Sequence, residues 1–156
     1  MKPLRPILLV EDNPDDVELT RHALERNNIR NALVVAPDGV VALRLLFGDG
    51  AAPDTPVLEP QVMLLDLKLP LVDGLEVLRR VRDDPRTRFL PVVVLTSSSE
   101  ERDLVESYRL GANSYVRKPV DFTAFVEAAR ELGLYWLLLN EPIDAPRVAG
   151  PAGVKT

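Results

Sequence analysis

The sequence predicts an α/β fold, a doubly wound sheet of five parallel strands. Three observations lead there. Apolar runs without polar alternation recur along the chain, as strands buried on both faces require. Ile7-Leu8-Leu9-Val10, Val62-Met63-Leu64-Leu65 and Val92-Val93-Val94-Leu95 are the clearest. Each strand segment is followed by one with helical spacing, the alternation that gives a parallel sheet covered on both sides. The length of 156 residues, 46% of them hydrophobic, fits one domain with a substantial core.

Composition narrows the function. The net charge is -5 and no Lys/Arg-rich run appears, so nucleic-acid binding has no electrostatic support. The chain has no cysteine, which excludes disulfides, thiolate chemistry and Cys-ligated zinc. The run Ile7 to Val10 is too short for a signal peptide or a membrane span, so a cytoplasmic protein is expected. His22 is the only histidine, which rules out a multi-histidine metal site.

Taken in order, Ile7 to Val10 is the first strand, ended by Glu11-Asp12-Asn13. Pro14 suits the first turn of a helix, which continues to Arg26 with Val17, Thr20, Ala23 and Leu24 as its inner stripe. Ala32 to Ala36 is the second strand, and Asp38-Gly39 turns the chain into a helix through Val41, Leu45 and Leu46. Gly48 to Pro60 is rich in turn formers and reads as a surface insertion. Val62 to Asp66 is the third strand. Asp73-Gly74 opens a helix with Leu75, Val77, Leu78 and Val81 on its apolar side, and Asp84-Pro85 stops it. Pro91 to Leu95 is the fourth strand, ending at Thr96. Ser99 suits the N-cap of a helix that Gly111 closes. Ser114 to Arg117 is the fifth strand, followed by Lys118-Pro119. Asp121 caps a last, extended helix to about Leu139. Residues 1–142 read as a single domain and 143–156 as a flexible tail rich in Pro, Gly and Ala.

The strand ends carry the chemistry. In a parallel sheet all carboxyl ends lie along one edge, where ligands bind. Strand one delivers Glu11 and Asp12, strand three Asp66, strand four Thr96 and strand five Lys118. Three converging carboxylates resist ionising together, and a hard divalent cation such as Mg²⁺ resolves the conflict. Such a site can take a phosphoryl group onto a carboxylate oxygen. Asp66 would be the nucleophile and also touch the metal. Asp12 would hold the metal with Glu11 behind it, as an outer or water-mediated ligand. Lys118 and Thr96 would bind phosphoryl oxygens.

Plainer readings exist for each residue. Glu11-Asp12 could cap the first helix, Thr96 could form a local turn, and Lys118 could be a solvated loop residue. Tyr115 could be an ordinary strand aromatic. His22 lies among charged helix residues and reads as solvated.

The set Val10-Glu11-Asp12-Asn13, Leu65-Asp66 with Pro70 and Asp73-Gly74, Leu95-Thr96, and Gly111-Ala112-Asn113 through Lys118-Pro119 resembles a response-regulator receiver domain. The resemblance spans about Pro6 to Glu131. It implies a flavodoxin-like sheet of order 2-1-3-4-5, and phosphotransfer to Asp66 from a sensor histidine kinase. It further implies that the Lys68 backbone carbonyl completes the metal site. Tyr115 falls at the aromatic switch position, so phosphate drawing in Thr96 would let Tyr115 turn inward. The protein would be a signalling phosphoacceptor in a two-component system, catalysing only its own phosphorylation and dephosphorylation. A haloacid-dehalogenase-like phosphatase also uses an aspartate after a buried strand. It needs a second acid where this chain has Lys68, and so fails at its central residue.

The last helix suggests the output. Phe125, Ala129, Leu132, Trp136 and Leu139 make one stripe, and Leu134, Leu137 and Leu138 fall off it. Apolar faces in every direction point to a protein contact, most economically a two-fold homodimer. Leu132-Gly133-Leu134-Tyr135-Trp136-Leu137 and Glu11-Asp12-Asn13-Pro14 resemble the stand-alone regulators of cyanobacterial and bacterial phytochrome kinases. That resemblance implies a bacteriophytochrome as the kinase. Alternatives are a non-phytochrome kinase or an intermediate place in a phosphorelay.

Overall fold

The computed structural model describes residues 4–27, 29–48, 57–96 and 101–118, together with Thr123 and Glu127. Five strands alternate with four helices in the long segments: β1 Ile7–Val10, α1 Pro14–Arg26, β2 Leu33–Ala36, α2 Gly39–Phe47, β3 Val62–Asp66, α3 Gly74–Asp83, β4 Val92–Thr96, α4 Glu101–Arg109 and β5 Ser114–Arg117. Of the predicted last helix only Thr123 and Glu127 are described, and both are helical. Leu134, Leu137 and Leu138, the Ser99 cap, Pro119 and residues 49–56 of the insertion lie outside the described residues.

The strands pair in the order β2-β1-β3-β4-β5, all parallel. Side chains alternate across a sheet, so each apolar run feeds two cores. Ile7, Leu9, Val62, Leu64, Val93, Leu95 and Val116 pack with Ala23 and Leu24 of α1. Leu8, Val10, Met63, Leu65, Val92 and Val94 pack on the other face against α2 and α3. β1, β3 and β4 are buried at every position, whereas the first three residues of edge strand β2 are only half-buried. Full burial of one such side chain stabilises by roughly 1.5–3 kcal/mol, against about 0–1 for an exposed ion pair. The two cores therefore hold the sheet, and the charged groups at its edge are not needed for that purpose.

Helix boundaries follow local chemistry. Asp38 Oδ1 accepts from the Val41 N–H at the start of α2, and Asp73 Oδ1 from the Glu76 N–H at the start of α3. Both satisfy backbone donors that a helix start leaves unpaired. Asn13 Oδ1 accepts from the Asp15 N–H at 2.8 Å and caps α1, with Pro14 as the first helical residue. On α2 the buried residues are Gly39, Ala42 and Leu46, while Val41 and Leu45 sit at the flanks of the buried face.

Arg82, near the end of α3, joins three segments. Its guanidinium donates to the carbonyls of Arg88, Leu90 and Gly111 and to Asn113 Oδ1. Asn113 Oδ1 also accepts the Val92 N–H at 2.8 Å. One side chain thus ties α3 to the approach of β4 and to the α4–β5 turn. Burial lowers the Arg82 pKa, but an arginine with this many acceptors stays charged.

Candidate functional site

Sheet register builds the site. Val10 pairs with Leu65, so Glu11 follows β1 level with Asp66 at the end of β3. Asp66 pairs with Leu95, which places Thr96 one step further along β4. Thr96 pairs with Arg117, and the Lys118 N–H donates to the Thr96 carbonyl at 2.8 Å. Each predicted residue therefore reaches the same edge by the regular advance of parallel strands.

Asn13 caps α1, which leaves the Glu11 and Asp12 carboxylates to other partners. Glu11, Asp12 and Asp66 each place a carboxylate oxygen within 4.8 Å of the others. Glu11 and Asp66 are buried and Asp12 is exposed. Lys118 Nζ lies among them, 3.0 Å from Asp66 Oδ2 and 2.9 Å from Glu11 Oε1. The contact to Glu11 is an ion pair rather than an aligned hydrogen bond. Asp66 Oδ1 accepts the Lys68 N–H at 3.1 Å, and Glu11 Oε2 accepts the Asn13 N–H at 3.2 Å.

The electrostatics reflect one ammonium shared among several carboxylates. Burial, aided by the charge of Asp66, pushes the Glu11 carboxyl up to about 7, although Lys118 and the Asn13 N–H pull it down. Burial opposes the Lys118 charge, but its contacts with Glu11 and Asp66 outweigh that and hold its pKa above the ordinary lysine range. Three clustered carboxylates, with Asp16 beside them, face a single ammonium and so leave the site short of positive charge. All its donors are hard oxygens, one carboxylate is open to solvent, and a divalent cation fits this set. Asp12, Asp66 and Glu11 are the residues that would hold it.

Asp16 also joins the cluster. Its Oδ2 lies 3.1 Å from Lys118 Nζ. It stands in the first turn of α1, three residues past the Asn13 cap, and its sequence position alone gave no signal of the contact. Acids are common in the first turn of a helix for reasons unrelated to a site.

The other side of the sheet edge carries Thr96 and Tyr115. Alternation puts Thr96 on the face of Val92 and Val94, and Tyr115 packs against that same core. Thr96 is buried and Tyr115 half-buried. The Tyr115 ring meets Tyr108 of α4 edge-on at 6.2 Å, with the Arg117 guanidinium 5.7 Å from its centre. Lys68 leaves the site toward α4, its Nζ 3.4 Å from Asp103 Oδ2. His22 is exposed on α1, away from these groups. Among the described residues no helix is long and apolar enough to cross a membrane.

Residues 7–130 match the family model for the response regulator receiver domain. The chain belongs to that family. This receiver is 36% identical to Response regulator Rcp1 of Synechocystis over 135 residues, 86% of this chain and 90% of Rcp1. It is 56% identical to the solved bacteriophytochrome response regulator AtBRR, with a TM-score of 0.77, covering 90% of this chain and all of that one. It is also similar to the Mn²⁺-bound form of Rcp1, at 34% identity and a TM-score of 0.69, covering 90% of this chain and 99% of that one. The sheet order expected from the resemblance is the one observed.

Proposed function

We propose that this receiver takes a phosphoryl group onto Asp66 from the phosphohistidine of a sensor histidine kinase, a bacteriophytochrome. The observation that carries the reading is Lys118 Nζ, 3.0 Å from Asp66 Oδ2 inside a buried carboxylate cluster. Mg²⁺ is the cation proposed for Asp12, Asp66, the Lys68 carbonyl and, through water, Glu11; when bound it neutralises phosphoryl oxygens. The existence of a Mn²⁺-bound Rcp1 supports a divalent ion here.

An Asp66 carboxylate oxygen attacks phosphorus while the P–N bond to the kinase imidazole breaks, and the leaving nitrogen takes up a proton. Lys118 neutralises negative charge on the transferring group, and the Thr96 hydroxyl donates to one of its oxygens. Positioning and charge neutralisation supply most of the acceleration in such transfers. Water later hydrolyses the acyl phosphate and restores Asp66. The protein is thus a signalling phosphoacceptor rather than an enzyme acting on other substrates.

The output runs through protein contacts. Thr96 moving toward the phosphoryl group makes room on the face it shares with Tyr115, and the Tyr108–Tyr115 contact carries the change to α4. Leu134, Leu137 and Leu138 form the homodimer surface, within a cytoplasmic domain of residues 1–142 that binds neither nucleic acid nor membrane. Support for the phytochrome partner comes from the likeness to AtBRR and Rcp1.

The test is label transfer from a phosphorylated bacteriophytochrome kinase. Wild type is labelled and Asp66→Asn is not. Full labelling of Asp66→Asn would overturn the assignment. Equal or faster transfer from unrelated histidine kinases would remove the phytochrome partner and leave Asp66 in place.

A further inference from the structure

The β3–α3 loop turns an apolar side chain outward on a disfavoured backbone. Leu69-Pro70-Leu71-Val72 is apolar throughout. Leu69 and Val72 are half-buried against the core shared with α2 and α3. Leu71 belongs to neither core and is 79% exposed. Its φ is 71°, the only positive φ at a non-glycine residue among the described residues. In that left-handed region the Cβ of a leucine is crowded by backbone, whereas glycine is free and asparagine is tolerated. A lone exposed leucine needs no explanation, but one held on such a backbone points to a use outside the fold.

The loop places that use beside Asp66. It leaves β3 at Asp66 and closes back on it: the Gly74 N–H donates to the Leu67 carbonyl at 3.0 Å, and a Cβ on Gly74 would lie 2.4 Å from the Asp66 carbonyl oxygen. The Val72 carbonyl is wedged against Gly39 of α2, which fixes the far side of the loop. Leu71 stands three residues before Gly74, so their Cα atoms are no more than about 11 Å apart. We infer that Leu71 is a docking residue for the protein that carries the phosphohistidine, and takes no part in the chemistry at phosphorus. The inference rests on Asp66 being the phosphoacceptor. A donor histidine must bring its phosphorus to an Asp66 oxygen, and a helix beneath that histidine is about 10–12 Å across. An element of that width over Asp66 also reaches over the loop. There it meets an apolar side chain whose backbone is already fixed, so little order is lost on contact.

The experiment compares two phosphodonors on the full chain with Mg²⁺: the phosphorylated histidine kinase that labels the wild type, and phosphoramidate, which is too small to need docking. Leu71→Asn raises the urea midpoint, because asparagine suits the left-handed backbone. The same variant raises the KM of the receiver in transfer from the kinase by about fivefold to tenfold, with kcat unchanged. Its labelling by phosphoramidate stays within about twofold of wild type. Leu71→Met, which keeps an apolar side chain, holds the wild-type KM. An unchanged KM in Leu71→Asn would overturn the inference. So would an equal loss with phosphoramidate, which would mean that Leu71 acts on Asp66 itself, or a lowered urea midpoint, which would mean that its side chain serves the fold. A wild type that phosphoramidate leaves unlabelled would instead overturn the reading of Asp66, and this inference with it.

Discussion

Lys118 Nζ donates to Asp66 Oδ2 at 3.0 Å, and it does so while also touching Glu11 and Asp16. The lysine thus sets the charge balance of the site before any phosphoryl group arrives. Lys118→Met is expected to slow label transfer to Asp66 by on the order of a hundredfold, the usual effect of losing one well-placed donor to developing charge. Its urea midpoint should change less than that of a core truncation, because Glu11 can take a proton and relieve the repulsion. A variant that transfers at the wild-type rate would show that the ammonium serves only the fold.

Glu11 makes stability depend on pH. Its carboxyl is raised from 4.5 to about 7 in the folded protein, chiefly by burial. Between those values the folded state holds a proton that the unfolded state has released. Stability is therefore highest at and below pH 4.5 as far as this group is concerned, and declines as pH rises through 7. The decline should amount to about 1–3 kcal/mol for this group. Denaturation midpoints at pH 5.5 and 8, without divalent cations, measure it. Glu11→Gln should flatten the slope, and millimolar Mg²⁺ should reduce it by favouring the ionised cluster. A slope unchanged by Glu11→Gln would place the titrating group elsewhere.

Two glycines separate stability from function. A Cβ on Gly74 would lie 2.4 Å from the Asp66 carbonyl oxygen and 2.6 Å from the Leu67 Cα. A Cβ on Gly39 would lie 2.0 Å from the Val72 carbonyl oxygen. Both contacts are with backbone, so both Ala variants should lose about 1–3 kcal/mol, the range for overpacking. Only Gly74→Ala presses on the strand end that carries Asp66. It alone should lower label transfer under conditions where both variants remain folded by circular dichroism. Equal activities would show that the Asp66 backbone accommodates the displacement.

Arg82 is expected to matter for stability alone. Arg82→Met leaves carbonyls of Leu90 and Gly111 and the Asn113 side chain short of a donor. The loss should be about 2–4 kcal/mol, more than one ordinary hydrogen bond, because several acceptors lose a single charged donor. Thermal unfolding measures this, and label transfer below the transition should stay within about twofold of wild type if the clamp is separate from the site.

Much of this was readable from residue order. β1, β3 and β4 announced themselves because burial on both faces leaves no polar position in them before Asp66 and Thr96 at the ends of β3 and β4. That Glu11, Asp66 and Lys118 lie together was readable because strand ends in a parallel sheet share an edge. The order of the strands was not in the apolar pattern at all and came from resemblance. α2 is apolar at Val40, Val41, Leu43, Leu45, Leu46 and Phe47, so its inner face had no contrast to reveal it. Asp16 and Asp103 stood in first turns, where acids are expected for reasons unrelated to a site. Arg82 gave no signal because most of its partners are backbone carbonyls, which every sequence contains.

The carboxyl end of α4 is pinned, because it runs into the turn that Arg82 grips at Gly111 and Asn113. Any rotation of the helix about that turn is magnified at its start. Nine residues at about 1.5 Å each make a lever arm of roughly 13 Å, so a rotation of about 10° would sweep the first turn by roughly 2 Å while the pivot stays still. A partner seated at the start of α4 would feel such a rotation, and one seated over Gly111 would not.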